Sequence, residues 1–416
     1  MTPTHLDALE IRAPAEREAA LLAALPAQIV HARTASKAFA DILAGVDPAR
    51  ITSRSALACL PVTRKHELLE RQQAQRAQNV FGGFSTLGFG AAMPRVFSSP
   101  GPIYEPEGAR PDYWRMARAL YAAGFRPGDL VHNCFSYHFV PAGSMMESGA
   151  HALGCTVFPG GTGQTEQQVQ AMAELKPAGY IGTPSFLKII VEKSLEMKVA
   201  LPSVTKALLS AEAFPPSLRD WLAERGIAGY QCYASADLGL IAYETEAREG
   251  LVLDEGVIVE IVRPGTGDPV AEGEVGELVV TTLNPDYPLI RFGTGDLSAI
   301  LPGNCPSGRT NTRIKGWMGR ADQTTKIRGM FVHPAQVADI ARRFPEILKA
   351  RLVVSGEMAN DSMTMRVETS SAPAGLDQRI SEAIRDVTKL RGRVELLAPG
   401  TLPNDGKVIE DARSYK

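Results

Sequence analysis

The sequence predicts an α/β protein with a large N-terminal domain of mixed sheets and helices and a small α+β domain at its C-terminal end. Three observations lead to this prediction. The length of 416 residues corresponds to two or three domains. Helical and extended patterns alternate between residues 112 and 301, as is typical of α/β domains. Beyond residue 317 the order strand, helix, strand, strand, helix, strand resembles a split βαβ unit.

The helices of the large domain are indicated by apolar periodicity and by signals at their ends. Residues 112–123 present an apolar face and stop before Gly124, a residue that tolerates the positive φ of a helix end. A second helix is predicted to begin at Thr165, where Gln168 completes a capping box, and a third at Pro184. A strand, a helix and a second strand are expected at residues 206–210, 216–225 and 229–233. Ligand loops should follow the carboxyl ends of such strands.

The remaining elements are mostly extended. Two alternating stretches within residues 257–283 predict a β-hairpin or small sheet, and residues 302–308 have the composition of a loop. A domain boundary near residues 320–323 gives a first domain at 1–320 and a second at 321–416. The helices of the second domain are predicted at residues 334–344 and 376–390, and its strands at 350–355, 363–368 and 394–397.

Charge and hydropathy exclude several classes of protein. Forty-four Lys and Arg residues against 46 Asp and Glu residues give a net charge of -2, which provides no general attraction to nucleic acid or to anionic membranes. No apolar run approaches the about 18 residues of a membrane span, and the acidic N-terminal stretch lacks the pattern of a secretory signal. We therefore expect a soluble, cytoplasmic protein whose partner is a small molecule.

Short motifs, in a fixed order along the chain, carry the chemical information. They are SAEAF (210–214), YASAD (233–237), PLIRFGTGDL (288–297) and GRADQTTKIRGMFVHPAQV (319–337), followed by LPNDGK, which ends at Lys407. Each motif alone is better explained as an ordinary turn or surface loop. Together with the loops FSYHFVPAG and GTGQTEQQV, their order and spacing closely resemble the phenylacetate-CoA ligase family of adenylate-forming enzymes, over nearly the whole chain.

This resemblance implies roles in nucleotide binding. Asp296 would accept hydrogen bonds from the ribose hydroxyls, Tyr233 would stack on adenine, and Arg320 would neutralise phosphate charge. Asp237 would bind Mg²⁺, for which carboxylates are suitable ligands. Further residues that the resemblance assigns to nucleotide binding are Ser98, Ser99, Ala211, Glu212 and Ala234.

Two residues of the second domain have implied catalytic roles. Lys407 matches the adenylation lysine of the family, whose charge stabilises the carboxylate and the α-phosphate as pyrophosphate leaves. Asp322 matches the hinge about which the small domain rotates between adenylation and thioester formation, with Gly329 nearby. The ordinary alternative is a solvated surface residue at each position.

Three departures from the family pattern stand out. The phosphate loop of the relatives contains a lysine, whereas residues 97–108 (FSSPGPIYEPEG) contain none, and Pro100 and Pro102 remove backbone donors. Position 237 is aspartate where the family has glutamate, and position 236 lacks a hydroxyl. Many relatives bind structural zinc at a Cys-Pro-Cys segment, in which Ser307 here replaces one thiolate, so no zinc is expected.

The acyl pocket is the least specific prediction. Tyr137, His138 and Phe139 occupy the position of the carboxylate pocket in the family and offer aromatic surface, which suits an aryl or arylacetic acid. Packing in the core is an equally good interpretation of each of them alone.

The leading functional hypothesis is an ATP-dependent acyl-CoA ligase that uses ATP, Mg²⁺ and CoA and forms a homodimer. The altered phosphate loop favours a second hypothesis, a catalytically weakened relative that binds an acyl adenylate, acyl-CoA or a partner without efficient turnover. The retained Asp296, Arg320 and Lys407 favour the first hypothesis. A third is an adenylating enzyme that uses an acceptor other than CoA.

Overall fold

The computed structural model describes residues 4–321, 323, 325–356, 361–403 and 407–413. They form two units, residues 1–318 and residues 319–416, called here the first and the second unit. Arg320, which the sequence placed in the first domain, belongs to the second unit. The hinge candidate Asp322 lies outside the described residues.

The described residues form a mixed α/β structure, which confirms the predicted fold class. Its helices are α1 (Pro14–Ala35), α2 (Lys37–Ile42), α3 (Arg54–Ala58), α4 (Lys65–Gln75), α5 (Met116–Ala122), α6 (Ala142–Ala152), α7 (Thr165–Leu175), α8 (Pro184–Glu196), α9 (Pro216–Ala223), α10 (Pro334–Arg342) and α11 (Leu376–Thr388). Short 3₁₀ helices lie at Ala8–Ile11 and Pro48–Arg50. None of these helices combines the length and the hydropathy needed to cross a bilayer.

The strands follow in chain order. They are β1 (Thr63–Arg64), β2 (Arg95–Ser99), β3 (Ile103–Glu107), β4 (Leu130–Asn133), β5 (Thr156–Phe158), β6 (Gly179–Gly182), β7 (Lys206–Leu209), β8 (Ala228–Ser235), β9 (Gly239–Tyr243), β10 (Leu251–Leu253), β11 (Val257–Val262), β12 (Gly276–Thr282), β13 (Phe292–Ser298), β14 (Ile300–Leu301), β15 (Arg313–Ile314), β16 (Thr325–Ile327), β17 (Met330–Val332), β18 (Ile347–Ser355), β19 (Ser362–Thr369), β20 (Arg393–Leu397) and β21 (Ile409–Asp411).

The largest sheet of the first unit has nine strands in the order β14-β15-β10-β9-β8-β7-β6-β4-β5. The strands from β5 to β8 in that order are parallel, and α6, α7, α8 and α9 connect them. Val131, Ile181 and Leu208, one on each of β4, β6 and β7, are fully buried in one apolar cluster. Because parallel strands point the same way, the loops after β4, β6, β7 and β8 emerge at one edge of the sheet, as the sequence predicted.

A second sheet of the first unit has the order β1-β13-β12-β11. β11 and β12 are antiparallel neighbours, which confirms the predicted hairpin in residues 257–283. Leu25 and Ile29 of α1 are buried in the same cluster as Val259, Val280 and Phe292 of this sheet. The sheet holds β13, the strand that contains the GTGD sequence, between β1 and β12.

Of the three predicted helix starts, those at Thr165 and Pro184 are confirmed, and the one at residue 112 is wrong. The helix expected at 112–123 begins at Met116, because the Asp112 carboxylate accepts the Ala117 N–H at 3.1 Å and caps the helix from outside. The predicted capping box at Thr165 does not form, since the Gln168 side chain is buried and bonds elsewhere. Thr183 does cap α8, which begins at Pro184 as predicted.

The second unit contains a four-stranded sheet in the order β20-β19-β18-β21. β18 and β19 are antiparallel, whereas β20 follows β19 through α11 and lies parallel beside it. The βαβ unit is therefore not split, which corrects the predicted arrangement. The reason is that the chain after residue 324 pairs with itself in the separate β16–β17 hairpin and does not join the sheet. The apolar face of α11, with Ile380 and Ile384, packs on Val354 and Met365 of the sheet.

Candidate active site

Two residues predicted to hold the nucleotide lie in direct contact. The Tyr233 hydroxyl, on β8, donates to Oδ2 of Asp296, on β13, at 2.6 Å. Trp317 Nε1 donates to Oδ1 at 3.1 Å. The Thr294 hydroxyl accepts the Asp296 N–H at 3.1 Å and donates to the carbonyl of Leu278 at 2.8 Å. Each oxygen of the Asp296 carboxylate therefore accepts a hydrogen bond, and Thr294 holds the Asp296 backbone. Sequence reasoning missed Trp317, because a single tryptophan in a loop carries no periodic signal.

Other predicted nucleotide-binding residues lie at the carboxyl ends of β7 and β8, which are parallel neighbours. Ala211, after β7, is exposed and has a φ of 69°. Alanine rarely adopts the left-handed region, and residues forced into it cluster at ligand sites. Glu212 accepts the Ser185 N–H, in the first turn of α8, at 3.4 Å. Ala234 lies on β8, opposite Leu240 of β9.

Asp237 lies in a buried cluster of charges. It is 3% exposed, and its Oδ2 accepts a hydrogen bond from Nζ of Lys65, the first residue of α4, at 2.8 Å. Its Oδ1 is buried and has no hydrogen-bond partner among the described residues. Burial, followed by the charge of Asp237, raises the pKa of the Glu105 carboxyl to about 8, and the charge of Lys65 opposes that rise. The Tyr287 hydroxyl is buried in the same cluster, where burial and the charges of Asp237 and Glu105 raise its pKa.

This arrangement does not fit the predicted magnesium ligand. One Asp237 oxygen is bonded to the Lys65 ammonium, the other is buried, and a nucleotide-bound Mg²⁺ requires a carboxylate oxygen open towards the phosphates. The described residues contain no group of three His, Cys, Asp or Glu residues that could hold a metal ion. In this structure Asp237 is the counter-ion of Lys65.

The predicted phosphate-binding serines lie on the β2–β3 hairpin. The Ser98 N–H donates to the carbonyl of Phe139 at 2.7 Å. The Ser99 N–H donates to Oε2 of Glu105 at 3.2 Å, and its hydroxyl donates to Oε1 of the same carboxyl. Pro100 and Pro102, at the turn, have no N–H. The Ser98 N–H and both Ser99 donors are thus bonded to groups of the protein itself.

The three predicted pocket aromatics have different environments. Tyr137 is half-buried, and its hydroxyl accepts a hydrogen bond from Asn133 Nδ2 at 2.8 Å. Burial and the neighbouring Glu147 raise the Tyr137 pKa well above its ordinary value. His138 is exposed, and Phe139 is 78% exposed at a φ of 64°. Of these three residues, Tyr137 is the one that is partly buried, and its hydroxyl contacts polar groups.

The sequence analysis did not identify a buried polar pair, His132 and Gln168, that lies near residues 137–139 in the chain. His132, on β4, is fully buried, and its Nε2 lies 2.6 Å from Oε1 of Gln168. Burial lowers the His132 pKa. Gln168 Nε2 donates to the carbonyl of Gly160 at 2.9 Å and so anchors the GTGQT loop. A Cβ at Gly160 would lie 2.5 Å from Gln168 Oε1, which explains the glycine. His and Gln in helical and strand patterns are normally solvated, so no sequence signal indicated this pair.

The predicted catalytic residues of the second unit are described within that unit. Arg320 is half-buried, and Lys407 is exposed two residues before β21. The side chain of Gln323, next to the hinge position, accepts the Val408 N–H at 2.8 Å and the Ile409 N–H at 3.4 Å. The segment that follows Lys407 is therefore attached to the residue beside the predicted hinge.

The segment that matches the zinc site of the relatives has a different set of contacts. Cys305 Sγ lies 3.1 Å from the Ser307 hydroxyl, and His5 Nε2 lies 3.1 Å from the carbonyl of Ser307. A hydroxyl is a poor zinc ligand, so we expect metal analysis of the purified, tag-free protein to find no stoichiometric zinc. One tightly held zinc per chain would contradict this prediction.

The sequence and the fold of this chain are similar to those of known proteins. A protein-family profile described as AMP-binding enzyme matches residues 112–284. The chain is 31% identical over 396 residues to a phenylacetate-coenzyme A ligase of Thermus thermophilus, which covers 86% of this chain and 87% of that protein. It is also 31% identical over 317 residues to a phenylacetate-coenzyme A ligase of Escherichia coli K12, with 71% and 72% covered. Among solved structures, it is similar to 2-hydroxyisobutyryl-CoA ligase in complex with 2-HIB-AMP and CoA, with a TM-score of 0.80, 26% identity and coverage of 98% of this chain and 92% of that one.

Proposed function

The chain belongs to the phenylacetate-CoA ligase family, and we propose that it activates an aromatic or arylacetic acid. The reaction is ATP-dependent acyl-CoA ligation of the AMP-forming type. In it, the substrate carboxylate attacks the α-phosphate of ATP and pyrophosphate leaves. The CoA thiol then attacks the acyl carbonyl of the adenylate, and AMP leaves.

The contact between Tyr233 and Asp296 is the observation that carries the nucleotide assignment. These residues are 63 positions apart, on strands of different sheets, yet their side chains meet at 2.6 Å. An oxygen of a carboxylate can accept more than one hydrogen bond, so Asp296 retains capacity for ribose hydroxyls beside Tyr233 and Trp317. Ala211, with its left-handed backbone, lies after β7, the neighbour of the strand that bears Tyr233.

We assign the remaining roles on the family resemblance. Arg320 and Lys407 act on the phosphates, the latter during adenylation, and Asp322 is the hinge between a first domain at 1–320 and a lid domain at 321–416. Mg²⁺ enters as part of the Mg-ATP substrate, since Asp237 does not fit a ligand for it. The homodimer and the cytoplasmic location implied by the resemblance belong to this proposal as well.

The acid is assigned on two grounds. The curated relatives act, by their names, on phenylacetate. Tyr137, beside Asn133 and Glu147, supplies an aromatic ring with a polar end at the carboxyl end of β4. The exposed His138 and Phe139 belong to the same segment, and their contribution to the pocket remains part of the proposal.

A second candidate function is supported by the hairpin. Because the Ser98 N–H and both donors of Ser99 are bonded inside the protein, a chain that binds an acyl adenylate without efficient turnover of ATP fits this observation.

An assay of AMP formation distinguishes these functions. We expect AMP to form only when an acid and Mg-ATP are present, with arylacetic and aryl acids the best substrates in a panel that includes short aliphatic acids. Omission of CoA should prevent repeated turnover. AMP formation that proceeds with another nucleophile but not with CoA would indicate a different acceptor. No AMP with any acid would favour the binding function.

A further inference from the structure

Glu105 is the fully buried acceptor of both Ser99 donors. It lies on β3, opposite the strand of Ser99, and is 0% exposed. Its two oxygens accept the backbone N–H and the hydroxyl of Ser99, respectively. An anionic phosphate oxygen would accept hydrogen bonds from the same two kinds of donor. The carboxyl therefore occupies the donors that a phosphate would need.

The surroundings of Glu105 add an electrostatic obstacle. The charged or titratable groups that face it are Asp237, from the loop after β8, Lys65, from α4, and the Tyr287 hydroxyl. Lys65 is bonded to Asp237 and so compensates for one negative charge. When Glu105 ionises, the cluster carries an excess negative charge, which opposes the β- and γ-phosphates of ATP.

We propose that Glu105 determines nucleotide specificity, by holding the Ser99 donors and thereby favouring AMP and acyl-AMP over Mg-ATP. The inference rests on the proposed function, because the position of the phosphates at this hairpin follows from the family resemblance. AMP lacks the β- and γ-phosphates, so its binding through Asp296 and Tyr233 does not depend on the hairpin. Glu105 is thus a residue whose replacement changes the relative affinity of two nucleotides.

The test is isothermal titration calorimetry of the full chain with Mg-ATP and with AMP. In the wild type we expect AMP to bind at least as tightly as Mg-ATP. At pH 9, where Glu105 is ionised, Glu105→Leu removes both the charge and the acceptors, so the ratio of the two dissociation constants should move towards Mg-ATP by about tenfold or more, the effect of one or more charge-assisted hydrogen bonds. Glu105→Gln keeps the size and one acceptor oxygen, and should move the ratio in the same direction by less.

Glu107→Gln is the matched control. Glu107 is a second buried carboxyl on β3, and it forms an ion pair with Arg95 at 3.2 Å and no hydrogen bond with Ser99. In Glu107→Gln we expect the ratio of the dissociation constants of AMP and Mg-ATP to stay at the wild-type value. Thermal unfolding of each variant checks that it is folded. If Glu105→Leu does not fold, the nearly isosteric Glu105→Gln carries the test.

The pH dependence provides a second measurement on the same proteins. Since the Glu105 pKa is raised to about 8, its carboxyl loses its proton between pH 7 and 9. Mg-ATP affinity should therefore fall over this range in the wild type relative to AMP affinity, and Glu105→Gln should abolish that difference.

Other results of these titrations would contradict the inference about Glu105 or the proposed function. Wild-type protein that binds Mg-ATP tenfold more tightly than AMP would overturn the inference, as would an unchanged ratio in both Glu105 variants or an equal shift in Glu107→Gln. In these cases AMP still binds and the proposed function stands. If the wild type and the variants bind neither nucleotide, the proposed function fails, and the inference fails with it.

Discussion

Replacement of Lys407 by alanine is expected to slow acyl-adenylate formation by several orders of magnitude, while thioester formation from a supplied acyl adenylate stays largely intact. In the role proposed for Lys407, its ammonium group stabilises the charge that develops at the α-phosphate as pyrophosphate leaves, and such preorganised charges are among the largest contributions to catalysis. The two half-reactions can be measured separately, by ATP–pyrophosphate exchange and by CoA-dependent release of AMP from a synthetic acyl adenylate.

The control for this variant is Lys389→Ala. Lys389 is an exposed lysine of the same unit that donates to the carbonyl of Asp386 at 2.8 Å, and it has no proposed role in the reaction. We expect this variant to retain both half-reactions. Comparable losses of both half-reactions in Lys407→Ala would show that Lys407 does not act specifically in adenylation.

The parts of this protein that could be predicted from its sequence are those with local causes. The helix that begins at Pro184 is an example, because Thr183 provides its cap and the first-turn proline fixes its φ. β7 and β8 were predicted as short buried strands, since they are short apolar runs on either side of α9. The GTGD sequence was singled out by its place in the order of motifs, but it lies on strand β13 and not in the turn that its composition predicts.

The parts that could not be predicted depend on contacts between distant segments. Lys65 and Asp237 are 172 positions apart, and Lys65 stands in a charged stretch that reads as an ordinary solvated helix. The sequence shows directly that the phosphate loop lacks its lysine. It does not show that Glu105 accepts hydrogen bonds from Ser99, because this contact depends on the register of the β2–β3 hairpin. The ion pair of Asp237 with Lys65 could not be predicted for the same reason, because it joins two distant segments of the chain.

The exposure of His138 and Phe139 has a related cause. An aromatic run predicts apolar contact, but the segment Tyr137–Val140 has no helical or strand periodicity that would indicate which side chains point inwards. The backbone of Phe139 is instead left-handed, and its carbonyl accepts the Ser98 N–H. The structure thus uses the backbone of this residue to support the hairpin while the ring remains exposed.

Replacement of Asp296 by alanine should weaken binding of AMP and of Mg-ATP alike. Two hydrogen bonds from ribose hydroxyls to a charged carboxylate contribute about 1.5–3 kcal/mol each, so the loss is about two to four orders of magnitude in affinity. Calorimetry with each nucleotide measures it. Asp296→Asn retains one acceptor oxygen and should lose less, and Tyr233→Phe, which removes the hydroxyl that donates to Asp296, should lose least.

Asp268→Ala is the control for loss of a carboxylate, because Asp268 is exposed in the loop between β11 and β12. It should bind both nucleotides as the wild type does. The result for Asp296 complements that for Glu105, since the proposed ribose contact is common to AMP and ATP, whereas the hairpin is proposed to face only the outer phosphates. An Asp296→Ala protein that remains folded and binds AMP normally would place the nucleotide elsewhere and would remove the structural basis of both predictions.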